Sequence, residues 1–190
     1  MWNGVVSLVW PVVWSGFAAL VLTPAAPGAA DRAPAPLAFP GPPWISIEVP
    51  PNPLDPETRD AFLVVHTYHH ERIAAYRVTG KAEGLVNGER RTRPLELTPT
   101  SRPGVHALAK QWPDDGVWVL AITAKAGGES SVTALVEVDA AGQVAAVRVP
   151  SRKEGRWTIP RAVTAEEIEA ALHARAATAR ADLARASRGS

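Results

Sequence analysis

The stretch whose reading decides the fold is Gly104-Val-His-Ala-Leu-Ala-Lys-Gln-Trp-Pro-Asp-Asp-Gly-Val-Trp-Val-Leu-Ala-Ile122. It reads as a strand, a tight turn over Pro113–Gly116, and a second strand. Successive strand side chains point to opposite faces, so Trp118, Leu120 and Ile122 share one side. Pro113 presets the backbone angle at the first central position of a type I turn, and Gly116 suits its last. A hairpin carrying that much apolar side chain on one face needs a second sheet over it. The stretch therefore argues for a β-sandwich and carries no chemistry of its own.

Upstream, Trp44-Ile-Ser-Ile-Glu-Val alternates with Ile45, Ile47 and Val49 inward. The prolines of Pro50–Pro56 end that strand, because proline cannot donate to a ladder. Ala61–His70 is a second strand. Phe62, Val65, His69 and Ile73 also fall near helical spacing, but the β-branched and aromatic run Val64, Val65, Thr67, Tyr68 favours strand. Tyr76–Val86 and Glu89–Thr98 flank Asn87-Gly88, a strong hairpin signal, with Leu95 and Leu97 inward. Pro94 marks that return strand as an edge or as irregular there. Downstream, Ser131–Val138 and Gln143–Val149 are joined by a turn over Asp139–Gly142. Seven to eight strands over residues 44–150 give an all-β, immunoglobulin-like β-sandwich.

Residues 151–163 read as a linker or a small hairpin around Gly155 and Trp157. Residues 164–188 read as a C-terminal helix opened by a Thr164/Glu167 capping box. Glu166, Glu167 and Glu169 lie early in it, and Arg175, Arg180, Arg185 and Arg188 late, as the helix dipole favours. Its apolar stripe, Ile168, Leu172, Ala176, Ala179 and Leu183, is narrow. Packing on the sandwich, pairing with a partner and standing free all remain open for it.

Residues 1–30 carry no charged side chain. An apolar run from Val5 to Leu22 leads to the small residues Gly28 and Ala30, so this segment reads as a secretory signal peptide cleaved near Ala30. A basic residue before the run is missing and Pro11 interrupts it. The run is also long enough to span a bilayer, which leaves an uncleaved anchor open. Residues 31–43, rich in Pro and Ala, read as a tether. Trp2, Trp10 and Trp14 belong to the leader and enter no binding argument. The expected location is periplasmic or secreted.

The net charge is +1. Residues 31–150 hold twelve Lys/Arg against fourteen Asp/Glu, and residues 151–190 eight against five. Neither half has the basic field of a nucleic-acid binder. With no cysteine, disulfides, thiolate zinc sites, a cysteine nucleophile and a lipid anchor on Cys are excluded. An exported domain of this kind holds together by core packing alone.

His66-Thr-Tyr-His69-His70 is the most conspicuous cluster. On a regular strand His66 and His70 stand about 13 Å apart and His69 faces the other way, too dispersed for one metal ion. A turn near residue 69, or a cross-strand His106, would be needed to build a copper or zinc site. His70-Glu71 begins the zincin pattern, but Ala74 stands where its second His belongs. Arg90, Arg91 and Arg93, with Lys81 and Arg77, form a basic patch that could meet an acidic partner. The alternative reading is a solvated, charge-protected edge with Glu83, Glu89 and Glu96 as counter-ions. Asp114 and Asp115 are explained by the turn. Trp112, beside Pro113, is expected at an exposed tip and is the aromatic candidate for a partner contact. Trp118 is expected in the core. No nucleophile elbow, dinucleotide fingerprint or phosphate loop is present.

Gly104, the Pro113–Gly116 turn and Gly116-Val-Trp118-Val-Leu120-Ala-Ile122 resemble the bacterial YtkA-like and FixH-like envelope domains, with His106 where Tyr is usual. The resemblance covers about half of the chain, leaves out the C-terminal helix, and implies an immunoglobulin-like fold at the cell envelope. The sequence thus leads to an exported, non-catalytic module that binds a protein partner or assists assembly there. Two alternatives stand beside it: a periplasmic copper or zinc protein using His66, His69, His70 or His106, and an enzyme whose site is assembled from distant loops.

Overall fold

The computed structural model describes residues 42–127 and 130–188. The expected signal peptide, and the expected tether up to residue 41, lie outside the described residues. Within them the chain is mostly β, with one C-terminal helix. The strands are β1 (Trp44–Glu48), β2 (Leu63–His69), β3 (Arg72–Ile73), β4 (Arg77–Val86), β5 (Glu89–Leu95), β6 (Thr98–Pro99), β7 (Val105–Leu108), β8 (Val117–Gly127), β9 (Ser130–Val138), β10 (Val144–Arg148), β11 (Ser151–Glu154) and β12 (Trp157–Pro160), followed by α1 (Ala165–Ala186). That is twelve strands where seven to eight were expected. The surplus comes from short pieces, β3, β6, β11 and β12.

One antiparallel sheet runs β1-β2-β7-β6, with β3 on β2; a second runs β10-β9-β8-β4-β5. The expected Gly104–Ile122 hairpin is not one. Strand β7 pairs with β2 in the first sheet, whereas β8 lies between β4 and β9 in the second. The segment between them carries the chain from one sheet to the other. Burial drives that crossing. Trp112 sits in the core edge-on to Phe62, with ring centroids 4.9 Å apart, and the Trp118 indole donates to the Asp115 carbonyl at 2.8 Å. Trp112 is therefore not an exposed tip: its large ring is buried against Phe62 and removed from water.

The alternation along β8 holds. Trp118, Leu120 and Ile122 join one core cluster with Ile45, Leu63 and Val65 of the first sheet. Opposite Trp118 stands Gly84, where an added Cβ would lie 2.5 Å from the indole ring, so the strand carries no side chain there. The other face of β8 is buried as well. Val117, Val119 and Ala121, with Leu135 of β9, meet Ile168, Ala171 and Leu172 of α1. Of the three fates open to the helix, it takes packing on the sheet.

The capping box forms as the sequence expects, with Thr164 accepting from the Glu167 amide and Glu167 from the Thr164 amide. Arg161 adds two bonds to the Glu167 carboxylate, at 2.7 and 2.8 Å. The Arg161 guanidinium and the Thr164 amide hold that carboxyl down at about 2. Arg90 reaches from β5 to Glu169, and Arg175 from α1 to Glu137 of β9 at 3.6 Å. The helix is thus clipped on both sides of its apolar contact. Its last turns run past the contact, and Leu183 is 72% exposed.

A buried leucine truncated to alanine typically costs about 2–5 kcal/mol, and an exposed one under about 0.5. Leu172→Ala is expected to lower the stability measured by urea denaturation by roughly 2–4 kcal/mol. Leu183→Ala should leave the midpoint unchanged.

Candidate binding groove

A groove of ≈ 750 Å³ lies where β1 begins and β2 turns into β3. It is lined by Trp44, His69, His70, Arg72, Ile73 and Ala74, among others. The turn is built from the sequence upward. His69 pairs with Arg72 and Tyr68 with Ile73, which leaves His70-Glu71 as a two-residue connection. His70 takes φ +53°, a left-handed value that the tight antiparallel turn requires.

Beneath the groove, Thr67 is fully buried and its hydroxyl donates to the carbonyls of Ala74 and Gly104. The Thr67 amide donates to the Gly104 carbonyl and the Ala74 amide to the Thr67 carbonyl. Gly104 has φ +72°, and a Cβ there would lie 2.7 Å from the Ala74 carbonyl oxygen. The first residue of the fold-deciding stretch therefore packs against Ile73 and Ala74, two residues of the groove's lining. Trp44 is 42% exposed and Ile73 59%, an apolar surface flanked by two imidazoles and a guanidinium.

The histidine cluster divides here. A turn does form after residue 69, and it brings the His69 and His70 rings to 4.4 Å between centroids. His66 goes elsewhere: its Nε2 lies 2.8 Å from Glu48 on β1. His106 stands opposite Val65, four residues along β2 from His69, or about 13 Å of strand. Burial pushes the His106 imidazole below its ordinary value. Among the described residues no three His, Asp or Glu side chains converge as a metal-ligand group.

The basic patch is largely paired. Lys81 meets Glu83 at 2.7 Å, Arg90 meets Glu83 and Glu169, and Arg91 meets Glu89. Burial alone would raise the Glu83 carboxyl, but bonds from Lys81, Thr92 and Arg90 outweigh it and hold the group below its usual range. Arg93 lies opposite Ala82 on β5, the edge strand that Pro94 marked. Glu96 is not one of the patch's counter-ions; its amide and carbonyl are bound by Gln111.

The groove itself was not legible in the sequence. His69-His70 was visible, but its convergence with Trp44 depends on the β1–β2 register, Trp44 opposite Tyr68. No family model matches this chain, and no curated protein or solved structure is significantly similar to it.

Gly104→Ala adds a methyl group to a left-handed residue against a carbonyl oxygen. Strain of this kind costs of order 1–3 kcal/mol, so thermal denaturation should show a clear fall in Tm. Gly88→Ala, where an added Cβ meets nothing within 4 Å, should cost less.

Proposed function

We propose that this chain is an exported, non-catalytic binding or assembly module of the cell envelope, and that the Trp44–Ile73 groove receives its protein partner. The observation that carries this is the groove's make-up: two large apolar side chains left in water, with His69, His70 and Arg72 beside them as hydrogen-bonding and charged groups. Binding sites have this composition, an apolar seat with a few polar groups that orient the ligand. An exposed Trp is also the residue most often found carrying the energy of a protein interface. The uncharged, apolar first thirty residues support export.

An immunoglobulin-like description of the fold belongs to the same proposal. It is supported by two antiparallel sheets sharing one core, and by Gly104 and Gly116 at positive φ where the YtkA-like and FixH-like pattern has its glycines.

A photo-crosslinking residue placed at Ile73 in the full chain, in producing cells, tests the reading. It predicts one discrete adduct at position 73 and none at the control position Leu54, which is 88% exposed. Trp44→Ala should reduce that adduct about tenfold, the effect expected of an interface hot spot. Equal labelling at both positions, or none at Ile73, would reject it.

A further inference from the structure

After β10 the chain leaves both large sheets and makes a ribbon of its own. Strands β11 and β12 pair only with each other, joined through Gly155 at φ +58°. Every residue from Ser151 to Thr158 is exposed. The ribbon's base is fixed, since the Arg161 amide donates to the Pro150 carbonyl and the Thr133 amide to the Arg161 carbonyl. Isolated two-stranded hairpins are marginal in water. This one is braced by Lys153 donating to Thr158 at 2.8 Å, by an Arg152–Glu154 pair, and by the Arg156 guanidinium 4.9 Å from the Trp157 ring centroid.

The pairing sorts its side chains. Arg152 lies opposite Ile159 and Glu154 opposite Trp157, so Trp157 and Ile159 share a face with Arg152 and Glu154, Lys153 lies on the other face with Thr158, and Arg156 covers the indole from the turn. Trp157 is 62% exposed, and Val147 and Val149 of the segment entering the ribbon are exposed too. The ten residues Ser151–Pro160 hold three basic side chains and one acidic one.

We propose that this ribbon is a contact arm for an anionic lipid surface, with Trp157 among the headgroups and Arg152 and Arg156 against their phosphates. Charge decides against nucleic acid, whose binders neutralise about six to ten phosphates. The arm has three cations and the whole chain a net charge of +1. Area decides against a second protein. A standard interface takes about 800 Å² from each partner, and one indole beside Ile159 on a two-stranded ribbon falls far short. A bilayer surface demands little area. Interfacial Trp and a few juxtamembrane basic residues suffice for weak, reversible contact. Such an arm orients the domain and does not anchor it. The inference does not rest on the groove, and either reading can fail alone.

The chain has no cysteine, so Ile159→Cys, on the Trp157 face, gives a unique site for an environment-sensitive fluorophore at the arm, and Leu54→Cys a control elsewhere. Whatever residues 1–30 contribute to vesicle binding is common to both labelled full-length chains. The expected result is a blue-shifted, brighter emission at position 159, and not at 54, on vesicles of phosphatidylglycerol and phosphatidylcholine. The response should weaken with added salt. Adding Trp157→Ala should raise the lipid concentration for half-response about tenfold, as losing one interfacial aromatic implies. No response at 159, an equal response on pure phosphatidylcholine, or indifference to Trp157→Ala would overturn the proposal. A response to duplex DNA or polyglutamate in place of vesicles would overturn it also, reassigning the arm to that partner class.

Discussion

The structure depends on one strand that must be kept dry on both sides. From Val117 to Ile122 every side chain is buried. Leu120 and Ile122 pack on the first sheet's core cluster, while Val119 and Ala121 pack on α1. No single layer can cover both faces. The first sheet has to stand on one side and the helix on the other, so the C-terminal helix is as much a part of the fold as the strands. The ion pairs around it, Arg90 with Glu169 and Glu137 with Arg175, lie at the margins of this contact. The half-exposed Arg90–Glu169 pair contributes little compared with the apolar contact it flanks, whereas the Arg175–Glu137 pair is largely shielded from water.

That constraint explains which parts of the architecture could be read from sequence. Strand identities were legible because alternation and turn chemistry are local. Trp118, Leu120 and Ile122 face the core as read, Asn87-Gly88 turns a hairpin, and Thr164 and Glu167 cap the helix. Pairing was not legible wherever it depends on a distant element. Gly104–Ile122 has the local pattern of a hairpin, yet its two strands belong to different sheets, because Trp112 is drawn into the core between them. The alternation also concealed the second apolar face of β8, whose Val117, Val119 and Ala121 have their partners some fifty residues later. A narrow alanine-rich stripe on the helix gave no sign that it would meet Val119, Ala121 and Leu135.

The same distinction applies to the candidate sites. Residue type singled out His66, His69, His70 and His106, but strand geometry disperses them, and only His69 and His70 meet. The arginine cluster is mostly consumed by neighbouring carboxylates on and beside an edge strand, where charge and Pro94 oppose pairing with another chain. Exposed Trp rings lie in two other places among the described residues, the apolar groove at Trp44 and the basic ribbon at Trp157. Gly104 links fold to site: the residue that opens the core-forming stretch also leaves room for the turn that shapes the groove.

Backbone hydrogen exchange of the full chain tests the central claim most directly. If α1 seals the outer face of β8, amides in the first half of the helix, residues 168–176, exchange about as slowly as those of Val117–Ile122, and residues 180–186 exchange far faster. Uniformly fast exchange along the whole helix, with β8 still protected, would show that the strand stays folded without its cover and would contradict the account.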